Sequence, residues 1–241
     1  MTVEQLFSPV VGARPHEAIL GQVEQLLSAG LLRPGDRLPS ERSLAERLGV
    51  SRPTVREAMR TLEALGVARP ADTAGRGSAA VIAGRADTAL GAVLRLAIAT
   101  SDLSVPDVVD TRVLLERDAV SRLARTPEPA LTAAEVLLRE MDEPGLTPER
   151  FHAADVRFHI ALAEAAGNRA VALMMSSLRY AIEGYVLDLV AGLDDWPGVS
   201  RRLRIEHRDI LAAIADRDAD EAARRVERHI RAFHRTATAS R

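Results

Sequence analysis

The sequence predicts a mainly α-helical protein in two parts: three helices closed by a β-hairpin, then an antiparallel all-α bundle. Three observations predict it. Apolar residues recur at helical spacing along almost the whole chain. Only residues 67–82 read as paired extended segments around a turn-rich tip. At 241 residues the chain is long enough for two domains rather than one.

Each element has its local reason. Residues 1–14 lack periodicity and are expected to form a loose arm. Pro15 suits the first position of a helix whose stripe is Ile19, Val23, Leu26 and Leu27. Gly30 stops it, and residues 32–36 form a turn by their Pro-Gly content. Ser40 is the expected N-cap of a second helix carrying Leu44, Ala45 and Leu48, which ends at Gly49. Ser51 caps a third, with Pro53 in its first turn and Val55, Met59, Leu62 and Leu65 as its apolar stripe. Gly66 closes it. Extended pieces at 67–70 and 78–82 then flank a turn at 71–77. Helix, helix, short turn, helix, hairpin is the order of a winged helix-turn-helix, placed at 15–83. Beyond Gly84 seven helical segments are expected, near 86–100, 105–125, 130–142, 147–166, 169–191, 199–216 and 218–238. The breaks fall at Pro127/Pro129, Pro144-Gly145, Gly167-Asn168 and Trp196-Pro197-Gly198. Such short connections suit a bundle. Residues 84–104 read as linker and first helix, and 105–241 as the second domain.

Composition excludes whole classes. Hydrophobic residues are 47% and charged residues 27%, the mix of a globular chain rather than a disordered or collagenous one. No apolar run approaches the roughly 18–20 residues of a membrane span, so no membrane partner is expected. The first residues show no basic region followed by an apolar core, so a cytoplasmic location is expected. There are no cysteines, hence no thiolate metal site or thiol nucleophile. All 32 basic residues are arginine, which rules out Schiff-base and Walker A lysine chemistry. Net charge is −2; the first 83 residues hold 10 Arg against 9 acidic residues, and the rest 22 against 25. Any nucleic-acid partner must therefore be argued from where the arginines sit.

The third helix carries that argument. In helix-turn-helix proteins the second helix of the motif enters the major groove with its N-terminal residues at the base edges. Here it begins Ser51-Arg52-Pro53-Thr54-Val55-Arg56. Arg52 and Arg56 share a face opposite Val55, Met59 and Leu62. Arginine pairs bidentately with guanine and also grips phosphate. The Ser51 and Thr54 hydroxyls suit phosphate at the positive helix end. Arg42 can reach the same groove, and Arg76 and Gly77 sit at the hairpin tip, where the backbone can approach the minor groove. Arginines four apart on a helix also form ordinary ion pairs, for which Glu57 and Glu63 are available; the order of elements is what turns the pattern toward DNA.

Residues 30–42, continuing through Leu44-Ala45-Glu46 and Leu48-Gly49-Val50-Ser51-Arg52-Pro53-Thr54-Val55-Arg56-Glu57-Ala58, resemble the GntR family of bacterial transcription regulators. The likeness runs without a gap over about fifty residues. It implies DNA contact by Arg42, Ser51, Arg52, Thr54, Arg56 and Gly77, with Arg76 as an added contact. It further implies a homodimer on double-stranded, near-palindromic operator DNA, nucleoid-associated when bound, and repression as the commoner sign.

The second domain carries a metal pattern. Asp155 and His159 lie four apart, on a face with Phe151, Phe158 and Leu162. His207 lies on a stripe with Leu203, Ile210, Leu211 and Ile214, and His229 with Val226, Ile230 and Phe233. Three helices thus aim polar groups at one core, where unpaired burial costs several kcal/mol. A shared divalent metal satisfies them together, zinc first, with nickel, manganese or iron as alternatives. Ordinary hydrogen-bonded core histidines are the competing reading. His16, His152 and His234 show no such phase.

Residues 155–162, Ala166-Gly167-Asn168, residues 206–214 and His229 also resemble the FCD effector domain of FadR-type GntR regulators. That likeness implies a metal held by Asp155, His159, His207 and His229, and it points away from acyl-CoA. It also implies an effector carboxylate at Arg112, within an Arg-x-x-x-Glu pattern completed by Glu116. The bare alternative for Arg112 is an internal salt bridge to Glu116 or Asp110. A metal with open positions beside one arginine suits a small hydroxy, keto or sugar acid. The rival functions are a metal-dependent hydrolase, which lacks His-Glu-x-x-His, and a purely structural dimeric DNA-binding protein.

Overall fold

The computed structural model describes residues 2–10, 14–71, 80–84 and 86–239. The chain divides into two compact units, Met1–Leu90 and Gly91–Arg241.

The first unit holds α1 (Pro15–Ser28), α2 (Glu41–Leu48) and α3 (Arg52–Ala64), then β1 (Ala68–Pro70) and β2 (Ala80–Ile82). Capping sets the starts of both motif helices. Ser40 accepts from the Ser43 N–H and Ser51 from the Thr54 N–H. Between them Gly49 adopts φ 69°, a left-handed conformation that costs glycine nothing and turns the chain from α2 toward α3. The apolar stripes of all three helices meet in one core that includes Ile19, Leu44, Leu48, Val55 and Leu62. Leu65 leaves its expected stripe: α3 ends at Ala64, and Leu65 lies half exposed beyond it. The strands pair antiparallel, with Ala68 opposite Ile82. Residues 35–38 add to this ribbon: Gly35 N–H donates to Ile82 and Leu38 N–H to Ala80, both at 2.8 Å. The expected turn at 32–36 thus runs on into paired backbone.

The loose arm is a second correction. Residues 3–6 form a 3-10 turn, and Phe7 is 1% exposed in the core of the unit. Arg47 donates to the Phe7 carbonyl at 2.8 Å, Gln22 brackets both backbone groups of Ser8, and Val10 N–H donates to Leu48 at 2.8 Å. One aromatic anchor and three polar clamps hold a segment that has no periodicity to reveal it.

The second unit is all helical: most of α4 (Ala86–Ala99), then α5 (Val105–Arg125), α6 (Thr132–Met141), α7 (Pro148–Ala165), α8 (Arg169–Ala191), α9 (Trp196–Ala215) and α10 (Ala219–Ala239). Ser104, Thr147 and Asn168 cap α5, α7 and α8 through their side chains. Trp196-Pro197-Gly198, expected as a break, is the first turn of α9. Asp195 caps it, accepting from Gly198 N–H at 2.9 Å. Proline is at home in a first turn, and glycine at 198 leaves room for the capping carboxylate, which a Cβ would meet at 2.0 Å. The main core gathers apolar side chains of α5, α6, α7, α9 and α10, and a second cluster joins α5 to α8.

Phe7→Ala should lower the unfolding free energy of the first unit by about 3 kcal/mol. Chemical denaturation checks this, and a loss below about 1 kcal/mol would mean that the segment does not pack.

Candidate functional site

Asp155 and His159 project from one face of α7, His207 from α9 and His229 from α10. The surrounding apolar phases force them inward, and all three histidines are buried. One ligand atom from each of the four residues falls within 4.8 Å of the others. His207 Nε2 lies 3.0 Å from Asp155 Oδ1, His159 Nε2 3.6 Å and His229 Nε2 4.0 Å. Atoms bound to one ion at about 2 Å lie about 3–4 Å apart, so these separations fit a shared ion.

The proton inventory makes the same point. His159 Nδ1 faces Glu116 Oε2 at 2.5 Å, and His229 Nδ1 faces Glu206 Oε2 at 2.8 Å. A neutral imidazole that donates from Nδ1 carries its lone pair on Nε2. The two Nε2 atoms stand 3.2 Å apart. The imidazole nitrogens and the Asp155 carboxylate thus crowd one another, an arrangement that a shared cation would relieve. His207 adds a buried ring whose Nδ1 has no hydrogen-bond partner. Burial pushes His207 below its ordinary pKa, reinforced by His229, and burial does the same to His229 despite Glu206. Both rings are thereby kept neutral, the form that ligates metal.

Charged residues from neighbouring helices surround the cluster. Glu116 on α5 is 3% exposed; its Oε1 accepts from Arg112 Nε and Nη2 at 3.2 and 2.9 Å. Arg179 on α8 donates from Nη1 to Asp155 Oδ2 at 3.0 Å. Burial works against ionisation of Glu116, but His159, Arg112 and Arg179 together outweigh it and hold the carboxyl well below the usual range. Asp155 behaves alike, burial being overcome by His159, His207 and Arg179. A cavity of about 40 Å³ adjoins the cluster and reaches Asp155, His229, Arg112 and Arg179. That is room for a small molecule's polar head beyond a single water.

In the first unit Arg42, Ser51, Arg52 and Arg56 are exposed and Thr54 is half-buried, while Val55, Met59 and Leu62 face the core. Arg60 continues the exposed arginine row by another turn. Ser51 and Thr54 share a hydroxyl hydrogen bond of 2.8 Å. Arg56 pairs not with Glu57 or Glu63 but with Glu41 of α2, at 3.2 Å. Arg76 and Gly77 lie outside the described residues.

Residues 15–75 match the family described as bacterial regulatory proteins, gntR family, and residues 107–232 match the FCD domain. The chain belongs to the GntR family and carries an FCD domain. It is a DNA-binding transcription regulator with an effector-binding helical domain, and not an enzyme. The FCD match holds all four clustered residues, and FCD domains are associated with metal binding. The regulator is 31% identical over 216 residues to the uncharacterized HTH-type transcriptional regulator YcbG of Bacillus subtilis, covering 88% of this chain and 85% of the relative. It is 28% identical over 234 residues to the putative L-lactate dehydrogenase operon regulatory protein of Escherichia coli, covering 94% and 88%. Its fold resembles the Streptococcus agalactiae GntR structure, with a TM-score of 0.62 at 24% identity over 97% of this chain and 99% of that one. Among the described residues no helix is long and apolar enough to cross a membrane.

Sequence reasoning named the four clustered residues and left Arg112 open between an effector and Glu116; the structure pairs it with Glu116 and also sets it against the cavity. It missed Arg179 and Glu206, and it set aside His152, which lines the cavity. Arg179 offered one usable signal: it sits with Leu178 and Ile182 on a largely buried stretch of α8.

Glu116→Gln removes the shared partner of two guanidiniums and of His159. It should cost about 3–5 kcal/mol of stability, read by chemical denaturation; a change below about 1 kcal/mol would refute the central place given to Glu116.

Proposed function

We propose that the regulator binds a near-palindromic operator as a homodimer, holds a divalent ion at Asp155, His159, His207 and His229, and is released from DNA by a small carboxylate. The observation that carries the sensing half is the convergence of three imidazole Nε2 atoms and a carboxylate beside a cavity lined by two arginines. Three nitrogens and one oxygen suit zinc first, and nickel, manganese or iron also accept them. A bound ion would act as a Lewis acid toward carboxylate or hydroxyl oxygen. Hydroxy, keto and sugar acids are the classes with such oxygens, and one relative is named for an L-lactate dehydrogenase operon.

On the DNA side, Arg52 and Arg56 would reach base edges. Arg42, Ser51 and Thr54 would hold phosphates, joined by Arg76 and Gly77 at the hairpin tip. Release by ligand requires that the carboxylate bind the DNA-competent state less well than the other.

Operator binding by gel shift or anisotropy tests both halves. Arg52→Ala and Arg56→Ala should each weaken specific binding by about 1–3 kcal/mol with the fold intact. Unchanged binding in both would remove the recognition-helix assignment. A small hydroxy acid should release the wild-type protein only in its metal-loaded form, and release that survives chelation would exclude the ion from sensing.

A further inference from the structure

The arginine row on α3 holds one member differently from the others. Arg52, Arg56 and Arg60 follow at four-residue intervals, and all three are exposed. Among the described residues Arg52 and Arg60 form no ion pair, whereas Arg56 is gripped from another helix. Its Nε donates to Glu41 Oε2 at 3.2 Å, and its Nη2 lies 3.2 Å from the same oxygen. Glu41 is the first residue of α2, fifteen positions away in sequence. Its carboxylate is set at the positive end of that helix, and its side chain is 27% exposed against 48% for Arg56. The carboxylate is thus the covered, anchored partner, and the guanidinium is the group that stays open to solvent.

The edge taken by Glu41 decides what is left. A guanidinium has five N–H donors in a rigid plane. With Nε and the near side of Nη2 turned to Glu41, the parallel N–H groups at the far end, on Nη1 and Nη2, are those that remain. Two parallel donors match the O6 and N7 acceptors of guanine in the major groove. An unheld arginine can swing between a base and a phosphate, and so adds affinity for any sequence. A held one gives up less rotamer freedom per hydrogen bond and keeps one aim. Glu41 also brings a negative charge to a surface that would meet phosphates, which costs affinity for every duplex alike. As an exposed ion pair it adds little stability to the fold. Its effect therefore falls on discrimination between sequences.

We infer that Glu41 is a positioning residue for base reading: it holds Arg56 so that the far end of the guanidinium addresses one guanine, end-on, in each half-site. The inference rests on the proposed placement of Arg56 at a base edge and adds how that placement is kept. Arg52, with no such partner among the described residues, is left able to share its donors between base and phosphate.

Selection from a random double-stranded DNA library with the full-length protein tests this, followed by binding to the selected duplex and to a scrambled duplex of the same composition. The wild-type motif should carry, in each half-site, one G·C pair whose preference Arg56→Ala loses. Glu41→Gln and Glu41→Ala should lose preference at that same pair by about tenfold, melt as the wild type does, and bind the scrambled duplex at least as tightly. Glu41→Gln added to Arg56→Ala should bring no further loss at that pair. Wild-type preference in both Glu41 variants overturns the inference and leaves Arg56 as a base reader. So does a loss that is equal on both duplexes, or one that adds to that of Arg56→Ala, since Glu41 would then act on the fold of the unit and not through Arg56. If Arg56→Ala selects the wild-type motif, or the wild-type protein selects none, the base-reading placement of Arg56 falls and the inference with it.

Discussion

The buried meeting of imidazoles and carboxylates at Asp155 is the constraint on which the second unit depends. Five helices send a charged or hydrogen-bonding side chain there: Arg112 and Glu116 from α5, Asp155 and His159 from α7, Arg179 from α8, His207 from α9 and His229 from α10. None of these groups is at ease in an apolar core alone. Each is stabilised only when the others are in place, so the helices carrying them must pack in one register. The Phe158 ring, edge-on to His159 and 4.6 Å by ring centroid from His207, closes the cluster with apolar surface. The low dielectric that results strengthens the ion pairs around the cluster.

The same arrangement ties structure to regulation. Glu116 touches His159 with one oxygen and Arg112 with the other, and Asp155 touches His207 with one oxygen and Arg179 with the other. Each carboxylate thus joins the histidine cluster to a guanidinium that faces the cavity. A change of charge in the cavity is felt at the cluster through one side chain. On the proposed reading, an ion at the cluster and an effector in the cavity would be read by a single network rather than by two separate sites.

Much of this was legible in the sequence, for a definite reason. His207 and His229 could be placed because apolar residues on the same helical phase fixed which way they point, and Asp155 and His159 because four residues make one turn. Ser40, Gly49 and Ser51 marked the motif helices because caps act locally. What escaped depends on long-range pairing. Glu206 meets His229 across 23 residues and Arg179 meets Asp155 across 24, and no periodicity announces either. Phe7 escaped because its segment is held by Gln22 and Arg47 from other helices. The pairing of residues 35–38 with β2 escaped because Pro34 and Gly35 read as a turn, which they also are.

The most direct test of the account is the metal content and melting of the full-length protein before and after chelation. The account predicts about one divalent ion per chain and a clear drop in the melting temperature of the helical bundle once the ion is removed. A protein that carries no ion when supplied with zinc, and melts identically with and without chelator, would contradict it.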